Sequence, residues 1–272
     1  MSPLITTREG AIAVLTFNRA DKMNSYSVDL HDALIEAIAA ADTDPSVRVI
    51  VITGAGRAFC AGADLEAGFG GSGLSQGAPI IDGISRDYGG MLVLRLYECD
   101  TPVIGAVNGV AVGIGATMLL PMDVKIASST AKMGFPFSRR GIVFDGAASW
   151  FLPRIVGWSQ AQKWITTGEI FMSQDALDAG MINELAEPQD VLPRAMEIAR
   201  DIALNTSPKS VAMNKQLMRA SLRNDLDYGG GPMGAHMRES KMLQERFAST
   251  DCAEGVASFL QKRAPKFDNN EG

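Results

Sequence analysis

The chain has 272 residues, of which 46% are hydrophobic and 21% charged, and carries a formal net charge of −6. That balance is ordinary for a soluble globular protein, and without a basic block it argues against nucleic acid as a partner. No apolar run approaches the roughly 18 residues of a membrane span. The opening MSPLITTREG lacks the basic and apolar regions of a secretory signal. Cys60, Cys99 and Cys252 are unpatterned, which fits a reducing cytoplasm and packing roles rather than nucleophiles. A cytoplasmic protein with one main domain and a smaller appendage is expected.

In chain order, residues 11–17 (AIAVLTF) read as a first strand, closed by Asn18 and Arg19. Ser27 suits the cap of a helix whose Leu30, Ala33, Leu34, Ala37, Ile38 and Ala41 form a one-sided apolar stripe. Residues 42–46 (DTDPS) end it, and the β-branched run 47–52 is a buried strand. Gly54 and Gly56 then force a turn into the small apolar stretch 58–63, and Asp64 and Leu65 suit the first turn of a helix. The segment 53–65, TGAGRAFCAGADL, can therefore offer main-chain N–H groups to an anion.

Between residues 67 and 90 the composition shifts to glycine and serine. Gly68, Gly70 and Gly73 match a dinucleotide-binding spacing, but no strand leads in and no periodic helix follows, so a flexible loop is expected. Residues 87–99 read as a helix. A strand-like PVIGA at 102–106 leads into VNGVAVGIGAT, a second glycine-rich turn before an apolar run. Two such turns converging on one oxygen would make an oxyanion hole, worth roughly 3 kcal/mol of barrier per donor. Strand pairs and helices recur through residue 120 and again at 124–135. Further on, Ser173 suits the cap of a short helix that stops at Gly180, with a strand over 181–185. From Pro188 strands give way to helices, one capped by Asp190 and another begun by Ser207-Pro208, with a break at Gly229 to Gly231.

AFCAGADL followed about forty residues later by PVIGAVNGVAVGIGA resembles the enoyl-CoA hydratase/isomerase (crotonase) superfamily, from about Ile12 to Phe267. The resemblance implies an α/β fold, a crotonase-like spiral of ββα turns with a C-terminal helical region. On this division residues 1–187 form the acyl-CoA-binding core and residues 188–272 the helical oligomerisation region, giving a homotrimer or a hexamer (a dimer of trimers). It also implies that an acyl-CoA thioester oxygen is held by the main-chain N–H groups of Ala63 and Ile114. The family usually has glycine at the second place, so the Ile114 side chain should narrow the pocket. Lys22, Met23, Ala61, Asp64 and Leu65 would lie along the CoA arm, and Phe259 and Lys262 would reach a neighbouring subunit's CoA. No cofactor beyond that CoA is implied.

The chemistry rests on few side chains. His31 and His236 fall in expected helices without a nucleophile nearby, and no spacing suggests a metal. Asp145 lies among small and apolar residues in GIVFDGAASWF, where a carboxylate is costly unless paired or functional. Burial would raise its pKa toward the range useful for proton transfer; the other reading is a helix N-cap for residues 146–151. The resemblance favours catalysis, because dienoyl-CoA and epoxyphenylacetyl-CoA isomerases carry an acid at the matching place. The two glutamates of typical hydratases match Thr117 and Phe137, neither of them acidic. Double-bond isomerisation through Asp145 is thus expected over hydration. A hydratase using Asp145 as base and a non-catalytic acyl-CoA binder are the alternatives.

Overall fold

The computed structural model describes residues 2–64, 78–223 and 225–267. The strand expected over 47–52 forms as the centre of a six-stranded sheet. In chain order the strands are β1 (Leu4–Glu9), β2 (Ile12–Phe17), β3 (Val49–Gly54), β4 (Ala58–Cys60), β5 (Ile80–Ile81), β6 (Ile84–Ser85), β7 (Val103–Val107), β8 (Val110–Val112), β9 (Val124–Ser128), β10 (Lys132–Gly134), β11 (Ile170–Met172) and β12 (Glu184–Ala186). The large sheet runs β1-β2-β3-β7-β9-β12 and a four-stranded sheet runs β11-β10-β8-β4. All pairings from β2 to β12 in the first, and β4 to β10 in the second, are parallel.

The chain alternates between the two sheets. It passes from β3 to β4, through the helix Tyr88–Glu98 to β7 and β8, then through Ile114–Thr117 to β9 and β10. Each circuit is strand, strand, helix, which is the expected spiral. Its central strands are buried on both faces, so they read as unbroken apolar runs. Alternate residues still serve different cores. Leu15, Phe17, Ile50 and Ile52 join Leu30, Leu34 and Ile38 of the helix Val28–Thr43. Val14, Val49, Val51 and Ile104 meet Ala195, Met196 and Ala199 of the helix Val191–Asn205.

Ser27 accepts the Leu30 N–H at 3.3 Å and Ser207 the Ser210 N–H at 3.2 Å, as caps should. Three details differ from expectation. An edge strand, β1, precedes the first expected one; only its Leu4 is buried, so it carries no apolar alternation to read. Ser173 does not cap its helix, because its hydroxyl donates to the Ser128 carbonyl at 2.7 Å and Asp175 takes the Met172 N–H instead. Asp190 stands at the N-cap of Val191–Asn205 but makes no side-chain cap bond. The glycines of the dinucleotide-like spacing and Leu65 lie outside the described residues. Among the described residues, no helix is long and apolar enough to cross a membrane. Cys60 and Cys99 are buried, which pushes both thiols up to about 12.

Candidate active site

Three segments leave the same ends of the parallel strands β4, β8 and β10 and enclose one cavity of about 280 Å³. The first two are the glycine-rich turns. Gly62 has φ 110° and Gly113 φ 59°, angles that side chains disfavour, and a Cβ on Gly113 would stand 3.8 Å from the Gly62 Cα. The turns therefore touch, and the residue after each glycine lines the cavity: Ala63 and Ile114. Near Ala63, the Ala61 N–H goes to the Met23 carbonyl at 3.1 Å and the Asp64 N–H to the Tyr26 carbonyl at 2.9 Å. The Ala63 N–H itself meets no acceptor among the described residues, nor does the Ile114 N–H that opens the helix Ile114–Thr117. Two unpaired main-chain donors on touching turns suit a single oxygen.

The third segment brings in a carboxylate. Asp145 lies in the same cavity wall, and its Oδ1 accepts the Thr117 hydroxyl at 2.8 Å. Its Oδ2 sits so close to Gly89 that a Cβ there would be 2.9 Å away. Burial pushes its carboxyl up to about 6, with the Thr117 bond working against burial and the charge of Asp87 adding to it. The carboxylate does not cap the following helix. Ala147 holds the cap position of Ala148–Val156, and Asp145 gives Ala148 only its main-chain carbonyl, at 3.1 Å. A buried acid poised near 6 thus shares one cavity with two amide donors, an arrangement whose chemistry suits proton transfer.

Comparison with known proteins gives the family. Residues 7–270 match the family described as enoyl-CoA hydratase/isomerase. The chain belongs to the enoyl-CoA hydratase/isomerase family. An enoyl-CoA hydratase of Alternaria alternata is 42% identical over 95% of this chain and 83% of its own length. A 1,2-epoxyphenylacetyl-CoA isomerase of Escherichia coli is 34% identical over 98% of both. Among solved structures, an enoyl-CoA hydratase of Mycobacterium tuberculosis superposes with a TM-score of 0.85 at 27% identity, covering 99% of this chain and 100% of its own.

Where the resemblance to hydratase/isomerase enzymes places glutamates, Thr117 is fully buried beneath Asp145 and Phe137 walls the cavity, edge-on to Phe144 at 6.4 Å. Of the described residues expected along the CoA arm, only Ala61 lines the cavity; Lys22, Met23 and Asp64 lie on the short helix and turn beside it. Asp64 is paired with Arg19 at 2.7 Å. Phe259 and Lys262 stand exposed at the end of the last helix, outside the cavity lining.

The sequence reading missed the far wall of the site. His31, set aside there, accepts or donates at Nδ1 a 2.7 Å hydrogen bond with the Tyr26 hydroxyl, and Tyr26 and Tyr88 both line the cavity. The paired Gly89-Gly90 at a helix start was the available signal, since glycine there costs helix stability and needs a steric reason. Arg139 and Arg140 look alike in sequence yet divide: Arg139 Nε donates to the Thr167 carbonyl at 2.7 Å, while Arg140 lines the cavity.

Proposed function

We propose that the protein binds an acyl-CoA, holds the thioester oxygen on the Ala63 and Ile114 N–H groups, and moves a proton with Asp145 to isomerise a double bond. The observation that carries this is the placement of one raised-pKa carboxylate in the same cavity as two free amide donors. The donors stabilise an enolate and so acidify the carbon beside the thioester. A single carboxylate can take a proton from one carbon and return it to another, so isomerisation needs no second acid. Hydration also needs a held water, and Thr117 and Phe137 offer only one hydroxyl, already given to Asp145.

Hydration with Asp145 as base is the second reading, favoured by the name of the 42%-identical relative. A panel of 2-enoyl- and 3-enoyl-CoA thioesters assayed in heavy water separates the readings. Double-bond migration with deuterium uptake faster than hydration is the expected result. Rapid hydration of crotonyl-CoA favours the second reading, and binding without exchange favours a non-catalytic acyl-CoA binder.

The CoA itself is the one non-protein group this reading requires. Its arm would run along Lys22, Met23, Ala61, Asp64 and Leu65. The last two helices, Gly231–Phe247 and Thr250–Gln261, leave Phe247, Val256, Phe259 and Leu260 exposed, an apolar surface unusual for a lone subunit. We propose that this surface joins a trimer or a dimer of trimers in the cytoplasm, so that Phe259 and Lys262 reach a neighbour's CoA. Light scattering at micromolar concentration that gave a monomer would remove both the assembly and the shared contacts.

A further inference from the structure

The direction of the Ala63 N–H is not set by the turn alone. That N–H belongs to the peptide unit between Gly62 and Ala63, and the other end of the same unit, the Gly62 carbonyl, accepts the Tyr26 N–H at 2.8 Å. In a planar trans peptide the C=O and N–H point in opposite directions, so fixing one aims the other; no cis peptide is present among the described residues. Tyr26 also receives the Asp64 N–H at 2.9 Å, so it grips the chain on both sides of Ala63 through an isolated parallel bridge. Among the described residues, no sheet holds Tyr26 in turn. It is held by the Ser25 carbonyl before it, which accepts from Arg19, and by its own side chain, 1% exposed, whose hydroxyl meets His31 Nδ1 at 2.7 Å. His31 sits in the first turns of the helix Val28–Thr43, buried, with its ring edge-on to Tyr88 at 4.7 Å. Burial pushes the Tyr26 phenol well up and the His31 imidazole down, so the link is a bond between neutral groups.

We propose that Tyr26 and His31 are a positioning pair that ties the helix Val28–Thr43 to the Gly62–Ala63 peptide and so aims the Ala63 N–H at the substrate oxygen. This rests on the reading of Ala63 as an oxyanion donor. Neither residue supplies a proton to the reaction. Their effect falls on the strength of the oxyanion contact, and hence on kcat more than on KM, because the contact strengthens as the enolate forms.

The test uses Tyr26→Phe, His31→Leu and His31→Gln in the full-length protein. Two readouts are taken: steady-state rates, and the near-ultraviolet enolate band of bound acetoacetyl-CoA, a 3-ketoacyl thioester whose enolised fraction reports the oxyanion contact directly. Tyr26→Phe and His31→Leu are expected to lower kcat about tenfold, with KM within about twofold, as for a sub-ångström misplacement. Both should also reduce the enolate band. His31→Gln, whose amide can still bond the phenol, should restore most of both signals. The proposal is overturned if the first two variants keep the wild-type band, whatever happens to their melting temperatures, or if His31→Gln behaves as His31→Leu. Should Tyr26→Phe fail to fold, the two His31 variants decide the matter by the same readouts. A wild-type protein that binds acetoacetyl-CoA without any enolate band would instead remove the donor reading itself, and this proposal with it.

Discussion

Thr117 hands its hydroxyl hydrogen to Asp145 Oδ1 at 2.8 Å from a fully buried position. The bond favours the charged carboxylate while burial favours the neutral acid, and burial wins, leaving the group at about 6. The acid limb of kcat/KM should therefore fall near pH 6, with activity rising as the carboxylate forms. Thr117→Val removes a donor to a charged group, an interaction worth about 1.5 to 3 kcal/mol. Its limb should move upward by about one to two pH units, with fractional loss of rate greatest at and below pH 6 and smaller at pH 8. A pH–rate profile that stays in place would show that Asp145 does not govern the limb.

Asp145 should also cost stability. Its folded pKa of about 6 lies above the ordinary 3.8, so the native state binds its proton more tightly than the unfolded chain does. The penalty is absent below pH 3.8, grows up to about pH 6, and stays constant above; it amounts to about 3 kcal/mol. Asp145→Asn should thus melt higher than wild type at pH 8 and equally at pH 3.5. The same variant should lose about 10²–10⁴-fold in kcat while CoA-thioester affinity, measured by calorimetry, is nearly kept. An active Asp145→Asn protein would take Asp145 out of the mechanism.

Gly89→Ala opposes stability to function. In the helix Tyr88–Glu98, alanine is favoured over glycine by about 1 kcal/mol. The new methyl, however, would meet Ile114 Cδ1 at 2.8 Å and Asp145 Oδ2 at 2.9 Å. One of those groups must move, and both belong to the site. Activity should drop at least about tenfold, on the scale of a small catalytic misplacement, with little or no loss in melting temperature. Rate assays and a thermal melt on one preparation check it.

Ile114→Pro tests the second donor. Residue 114 is the first of its helix, where proline is well tolerated because its missing N–H has no helical partner. Removing one oxyanion donor typically costs about 10²–10³ in kcat. That loss is expected with a folded protein by circular dichroism, and Ile114→Ala, which keeps the N–H, should lose far less. Equal rates for the two variants would deny the main chain its role.

How much of this was legible in sequence follows from physics. Strands β3 and β7 showed themselves because both faces are buried, and the two glycine turns because only glycine relieves the angles at 62 and 113. Asp145 stood out as a charge among apolar neighbours. What stayed hidden was contact between elements far apart in sequence. Nothing local in SYSVDLHDA says that Tyr26 turns back to His31, or that its backbone reaches the turn after β4. The edge strand β1 was hidden for the opposite reason, being exposed along five of its six residues.

The oxygen-holding groups proposed at 63 and 114 are peptide nitrogens, and every residue but proline has one. Side chains around the cavity are therefore free to drift through mutation while the oxygen-holding element persists. Backbone shape is then what the proposed chemistry depends on, with Gly62 and Gly113 as the positions whose φ disfavours a side chain. On that reading, substitutions at positions 117, 137 and 145 would change the acid–base chemistry while leaving both enolate-stabilising donors in place.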